Sequence, residues 1–339
     1  MNLMEVWQNA KELCSQCYVC PVCNGIACKG KIPGMGGKQS GSTFIRNVEK
    51  IKDVKINLDV IYESKDIDTS SVLFETQISL PVYLAPIAGV RTNYGTNISD
   101  EEYTRYILEG CQKAKTIAFT GDGVDPTMFS GPATLIDKMG GHGICTMKPW
   151  IKEGVDLRLK ELQNKKVLAV AMDIDSAGLP LLRNSVIPVE NKSIKALQEM
   201  KAALNVPLII KGIMTCEGAL KALEAGADAI IVSNHGGRVL DDGLATIEVL
   251  EDIVAVVKGK MVVLVDGGFR TGSDVFKALA LGADGVLIGR PLGLAAIGGK
   301  AEGVYVALEQ IRDELKQTMI MTGCYKISDI TRSKVTIIK

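Results

Sequence analysis

The run Ser233-Asn234-His235-Gly236-Gly237-Arg238 gathers the groups needed to handle a small hydroxy acid. Histidine titrates close to neutrality and can take a proton from an alcohol, while arginine can grip a carboxylate with two parallel hydrogen bonds. His235 is one of only two histidines in the chain, and the run follows the apolar stretch Asp228-Ala-Ile-Ile-Val232, which reads as a buried strand. Two further turns place glycine beside arginine: Asp266-Gly267-Gly268-Phe269-Arg270 and Gly289-Arg290. Glycines let backbone N–H groups approach an anion and guanidinium groups neutralise it, so both turns suit a phosphate.

These groups need a scaffold that brings distant turns together. Short β-branched runs at 81–85, 116–120, 143–147, 167–173, 207–211, 229–233, 262–266 and 285–289 alternate with amphipathic helical patterns. The helical patterns fall near 100–113, 126–138, 150–162, 193–204, 215–225, 245–258, 273–281 and 301–317. Alternation of this kind predicts parallel βα units. An internal echo supports the repeat, since Ala222-Leu-Glu-Ala-Gly-Ala-Asp-Ala-Ile-Ile-Val232 matches Ala278-Leu-Ala-Leu-Gly-Ala-Asp-Gly-Val-Leu-Ile288. Eight such units, with no G-x-G-x-x-G after the early strands, predict a closed (β/α)8 TIM barrel rather than an open dinucleotide-binding sheet. Chemistry then belongs at the C-terminal strand ends. Those ends supply Pro86, Thr120, Asp173, Lys211, Ser233 to His235, Asp266 to Arg270, and Gly289 with Arg290.

The barrel is expected over 51–339, with the first fifty residues as an extension packed on it. Cys14, Cys17, Cys20, Cys23 and Cys28 follow a C-x2-C-x2-C-x2-C-x4-C pattern. Such thiols could ligate an iron-sulfur cluster or zinc, or could remain plain thiols lining one side of a helix. Next, Ile32 to Ser42 is too glycine-rich for a regular element and should form an ordered loop against a ligand, or a linker. The chain carries 39 basic and 39 acidic residues and only 5% aromatics. That balance argues against nucleic acid and against an anionic membrane surface. The apolar runs are strand-length, too short to span a bilayer. With no export signal visible in the N-terminal pattern, the expected compartment is the cytoplasm, where cysteines stay reduced.

Lys211-Gly-Ile, Ser233 to Arg238, Asp266 to Arg270, Lys277-Ala-Leu-Ala-Leu-Gly-Ala283 and Gly289-Arg-Pro291 together resemble the FMN-dependent 2-hydroxy acid oxidases and dehydrogenases, the glycolate and lactate oxidase family. The resemblance implies FMN as cofactor. Its contacts would be Pro86, Ala88, Thr120, Lys211, Ser233, Asp266, Gly267, Gly268, Arg270, Gly289 and Arg290, with the phosphate on Arg270, Gly289 and Arg290. It implies His235 as the base for the substrate hydroxyl, Asp173 as the group orienting it, Lys211 beside the flavin N1/O2 edge and Arg238 as the carboxylate grip. It also implies homotetramers or larger.

The likeness thins where substrate is recognised. The family's second arginine, in Leu-Gly-x-Arg, is missing, because Gly178 is followed by Leu179-Pro180-Leu181-Leu182. The family tyrosine of the third strand falls near Cys145-Thr-Met147, and an N-terminal tyrosine gives way to Pro33-Gly-Met-Gly-Gly. His142 and Lys148, flanking the third strand, are candidates to line the rebuilt pocket. The expected reaction is oxidation of a small 2-hydroxy acid to the 2-oxo acid. The alternatives are an FMN-dependent isomerase resembling type 2 isopentenyl-diphosphate isomerase, and a flavin and iron-sulfur dehydrogenase that passes electrons to a partner.

Overall fold

The computed structural model describes residues 1–338. Eight parallel strands form the central sheet: β1 (Val82–Leu84), β2 (Phe119–Thr120), β3 (Ile144–Met147), β4 (Ala169–Asp173), β5 (Leu208–Ile213), β6 (Ala229–Val232), β7 (Val262–Val265) and β8 (Gly285–Ile288). Each neighbours the next in sequence, and β8 returns to pair with β1. A parallel bridge from Leu84 to Ala118 closes the ring between β1 and β2, giving the (β/α)8 barrel. The helices are α1 (Asp100–Lys113), α2 (Thr127–Lys138), α3 (Lys152–Leu162), α4 (Ile194–Ala202), α5 (Cys216–Glu224), α6 (Thr246–Val257), α7 (Gly272–Ala280) and α8 (Arg290–Ile320). The eighth starts eleven residues before its expected position at 301, directly after Gly289, and bends at Lys300, where the backbone leaves helical angles. No described helix is long and apolar enough to cross a membrane.

Side chains alternate across a strand with a period of two, so one set fills the barrel and the other meets the helices. Tyr83, Phe119, Ile144, Ala169, Ala171, Ile209, Ala229, Ile231, Leu264 and Leu287 form the inner cluster. Burying each large apolar member contributes about 1.5–3 kcal/mol. A hairpin of Ser71–Leu73 and Thr76–Ile78 adds Leu73 and Ile78 to this cluster. Continuing the same inward register two residues further along each strand gives Thr146, Asp173, Lys211, Ser233, Asp266 and Gly289. The apolar filling therefore ends in a polar layer, set by strand periodicity.

Capping fixes the helices that follow these ends. At α7, Thr271 Oγ1 accepts from the Asp274 amide at 3.2 Å, and Asp274 Oδ2 accepts from the amides of Arg270 and Thr271 at 3.0 and 3.2 Å. This capping box also holds the backbone of Arg270. The first fifty residues wrap the barrel. A helix at Leu3–Leu13 buries Val6 and Ala10 against α8, and a second at Ser42–Lys50 packs on the turn His235–Gly237. Asp241 ties down the start of that second helix, accepting from Ser40 N and Oγ at 2.8 and 2.6 Å and from Ser42 N and Oγ at 3.0 and 2.8 Å.

Candidate active site

The polar layer surrounds a cavity of about 730 Å³, lined by Pro86, Ala88, Thr146, Lys148, Lys211, His235, Arg238, Asp266 to Arg270, Gly289 and Arg290, among others. That volume lies within the range of small-molecule and cofactor pockets, about 300–1,000 Å³. Two expected contacts stand outside the wall. Thr120 falls one register off the inward-facing Phe119, and its hydroxyl donates to Ile144 O at 3.4 Å. Ser233 faces inward, but its hydroxyl is used within the turn, accepting from the His235 amide at 3.1 Å. His142 leaves the site altogether: it precedes β3, at the opposite end of the barrel, and Nε2 lies 2.9 Å from Thr116 O.

His235 holds a left-handed backbone, φ 57°, followed by Gly236 at 61°. A β-carbon on Gly236 would come within 2.6 Å of Arg290 Nη1, so the glycine lets that guanidinium pass beneath the histidine turn. Below the turn, Asn47 and Asn234 exchange amide hydrogen bonds of 2.8 and 2.9 Å, and Asn47 Oδ1 also accepts from the Thr246 amide at 3.2 Å. Asn47 was not legible as a site residue, since it lies 187 positions from its partner.

Two carboxylates face the imidazole. Nδ1 lies 2.9 Å from Asp175 Oδ1 and 3.5 Å from Asp173 Oδ1. The family resemblance implies Asp173 alone, whereas Asp175 makes the closer contact. After β4 the chain enters a 3-10 turn at Ile174–Gly178, which folds Asp175 back over the strand end. The adjacent strand β5 accommodates it at Gly212, φ 105°, where a β-carbon would meet Asp175 Cβ at 2.7 Å. The Asp-x-Asp spacing was the available signal, but a strand alone would have sent its two carboxylates along one face. Carboxylates on Nδ1 favour the tautomer with its proton there, leaving Nε2 as the acceptor.

Asp173 instead anchors two lysines. Its Oδ1 accepts from Lys211 Nζ at 2.9 Å and its Oδ2 from Lys148 Nζ at 2.7 Å. Burial would raise the Asp173 carboxyl, yet the charges of His235, Lys148 and Lys211 outweigh it and hold the group well below the usual carboxylate range. At Asp175 burial prevails over the attraction of His235, and the neighbouring negative charge of Asp173 adds to it, so that carboxyl is raised. For Lys211, burial favours the neutral amine, but Asp173, Asp266 and Asp175 reverse this and keep the ammonium charged. Lys211 Nζ is 3.6 Å from Asp266 Oδ2. Lys148 thus joins the site as expected, while Asp122 was missed: it accepts from Trp150 Nε1 at 2.6 Å, the Lys148 amide at 3.0 Å and Arg158 Nη2 at 3.2 Å, fixing the chain after β3.

Three arginines reach the cavity, and no ion pair with a carboxylate is found for any of them among the described residues. Arg238 donates to Gly34 O and, at 3.2 Å, to Asn93 Oδ1. Burial and the nearby charge of Arg290 lower its pKa to about 10, so it stays charged at neutral pH. Arg290 donates to Met35 O at 2.7 Å and Gly236 O at 3.0 Å, and Arg270 to Cys23 O at 2.9 and 3.2 Å. Carbonyl groups satisfy donors without cancelling charge, so these cations suit an anionic ligand. The start of α8 has no side-chain cap and faces the same space. Thr146 Oγ1 and Asp266 Oδ1 are buried without hydrogen-bond partners, so the wall also offers unsatisfied polar groups. Ile32, Pro33 and Met35 line the cavity as well, which makes the glycine-rich stretch a covering loop rather than a linker.

The comparisons with known proteins point the same way. A family model described as FMN-dependent dehydrogenase matches residues 158–337. Glycolate oxidase 1 of Oryza sativa subsp. indica is 42% identical to this chain, over 91% of this chain and 92% of that protein. The chain belongs to the FMN-dependent dehydrogenase family. A peroxisomal (S)-2-hydroxyacid oxidase of Arabidopsis thaliana is 32% identical over 88% of this chain and 90% of its own length. Among solved structures, a mandelate oxidase variant with 2-hydroxy-phenylacetamide aligns at a TM-score of 0.80 with 25% identity, covering 100% of this chain and 99% of that one. Another variant, with the monooxide FMN adduct, aligns at 0.73 with 26% identity over 89% of this chain and 93% of that one.

FMN is the cofactor of this family member, and the residues present fit it. The guanidiniums of Arg270 and Arg290, which no carboxylate neutralises among the described residues, and the uncapped start of α8 suit its phosphate, while Lys211, Thr146 and Asp266 offer partners to a polar ring edge. The expected cytoplasmic location is overturned by the relatives, several of which are named as peroxisomal oxidases. The absence of a recognisable secretory signal speaks only to export through the secretory route, and does not separate the cytoplasm from an organelle.

Proposed function

We propose that this site oxidises a 2-hydroxy acid to the 2-oxo acid with His235 as the base and Arg238 as the carboxylate grip. The observation that carries the reading is the convergence, on one cavity, of an imidazole whose Nδ1 is held 2.9 Å from Asp175 and an arginine with no carboxylate partner. When bound, FMN supplies the acceptor for the two electrons that leave the substrate carbon as hydride. His235 Nε2 takes the hydroxyl proton, and Asp175 and Asp173 stabilise the imidazolium. Lys211, kept charged by its three carboxylates, offers a cation to the flavin edge. Ile32, Pro33 and Met35 keep water from the reacting carbon.

Leu179, Pro180, Leu181 and Leu182 line the cavity in the segment where the family carries its second arginine, which favours an acid with an apolar substituent over a second charged group. The isomerase alternative is set aside, since the chain's relatives are oxidases. The test is anaerobic mixing of the FMN-loaded protein with a series of 2-hydroxy acids of increasing apolar side chain. Bleaching of the flavin absorbance is expected, and a flavin left oxidised by every acid in the series would overturn the proposal.

Asp175 is expected to act on the rate rather than on binding. Asp175→Asn should lower kcat by about 10- to 100-fold, because Asp173 still stands 3.5 Å from the imidazole and can carry part of the stabilisation. KM and FMN content should stay near wild type in steady-state kinetics and flavin release. A matching rise in KM would instead place Asp175 in substrate binding.

A further inference from the structure

The chemistry above leaves the cysteines of the N-terminal segment unused. The first helix ends at Leu13, so Cys14 to Cys28 do not line a helix but follow one another through an irregular stretch. All five are half-buried and free of disulfides. The stretch is firmly placed. The amides of Ser15 and Gln16 donate to Gly95 O and Tyr94 O at 3.0 Å, Cys23 O receives Arg270, and Cys28 N and Lys31 N continue the chain in turns through Gly25 O and Cys28 O. A β-carbon on Gly25 would meet Phe44 at 2.7 Å, and the Arg290 guanidinium lies 3.7 Å from the centroid of the same ring. The segment Cys23–Cys28 therefore lies on the mouth of the barrel, beside two arginines.

Four of the five thiols form a group. Cys17 is an electrostatic neighbour of Cys20, Cys23 and Cys28, and Cys28 of Cys20 and Cys23, whereas Cys14 meets only Cys17. Yet no three of these sulfurs lie within 4.8 Å of one another among the described residues. With Zn–S bonds of ~2.3 Å, a tetrahedral zinc would bring its four sulfurs to within ~4 Å of each other. A cubane cluster, bound through iron atoms at separate corners, holds its four thiolates further apart. Arg270, which donates to Cys23 O at 2.9 and 3.2 Å, ties this thiol-bearing segment to the end of β7.

We propose that Cys17, Cys20, Cys23 and Cys28 ligate a four-iron, four-sulfide cluster at the mouth of the barrel, with Cys14 outside the ligand set. The test is metal and acid-labile sulfide analysis of the full-length protein, purified anaerobically and then reconstituted with ferrous iron and sulfide. About four iron and about four sulfide per chain are expected, with a Mössbauer signature of a cubane. Cys20→Ser should lose most of this iron while keeping its FMN, which shows that the barrel is intact. Cys14→Ser should keep both. Absence of iron and sulfide after reconstitution, a single zinc in their place, or equal iron loss from Cys14→Ser would overturn the assignment. If Cys20→Ser fails to fold, the wild-type stoichiometry and Mössbauer spectrum decide alone.

Discussion

Replacing His235 by glutamine is expected to slow flavin reduction about a thousandfold, the middle of the range for removing a general base. Glutamine keeps the approximate volume and a polar end near Asp175 but cannot take the hydroxyl proton at neutral pH. The loss should therefore fall on the rate of reduction in anaerobic stopped-flow mixing, while FMN content should stay at the wild-type level. His235 stands at φ 57° in a turn that the Asn47–Asn234 pair and the glycine after it hold in place, so a different side chain need not disturb the backbone. A variant that reduced its flavin at the wild-type rate would remove His235 from the chemistry.

Asp173→Asn is expected to be the most damaging change to stability, costing about 3–5 kcal/mol. Asp173 is almost fully buried and is the hydrogen-bonded carboxylate of both Lys211, at 2.9 Å, and Lys148, at 2.7 Å. The amide would leave two ammonium groups facing one another, and Asp266, 3.6 Å from Lys211, neutralises only one of them. The measurement is urea unfolding of the FMN-loaded protein. Lys148→Met in the same chain should recover part of the loss, because one unpaired charge is then removed. The pH dependence follows from the depressed carboxyl of Asp173. A folded pKa below the unfolded value, about 3.9, means that its contribution is fully present above that pH and is lost as pH falls through the lower folded value. The gap between wild type and variant should therefore stay constant from neutrality to about pH 5 and narrow only in stronger acid. A gap that closes between pH 7 and 5 would mean that another group titrates at this site.

Local pattern along the chain suffices for the barrel and the ends of its strands. Runs such as Ala229 to Val232 and Gly285 to Ile288 are apolar throughout because parallel strands are covered on both faces, and a Gly-Ala-Asp turn precedes each of these two. Periodicity then makes the polar residue at each strand end an inward one, so Asp173, Lys211 and Asp266 could be named from local pattern. The histidine turn was equally legible, because its residues adjoin in the chain.

Tertiary structure decided which partner each group meets. Asp175 reaches His235 only because a 3-10 turn folds it back over Gly212 of the next strand, and Asn47 reaches Asn234 from an N-terminal helix 187 positions away. Arg238, Arg270 and Arg290 each donate to a carbonyl of residues 23–36, whose sequence shows glycine and cysteine but not where the segment lies. The same limit applied to His142, which flanks a barrel strand yet sits at the wrong end of it. Hydrophobic periodicity is a property of neighbours along the chain, whereas a hydrogen bond across a barrel depends on how separate turns are brought together.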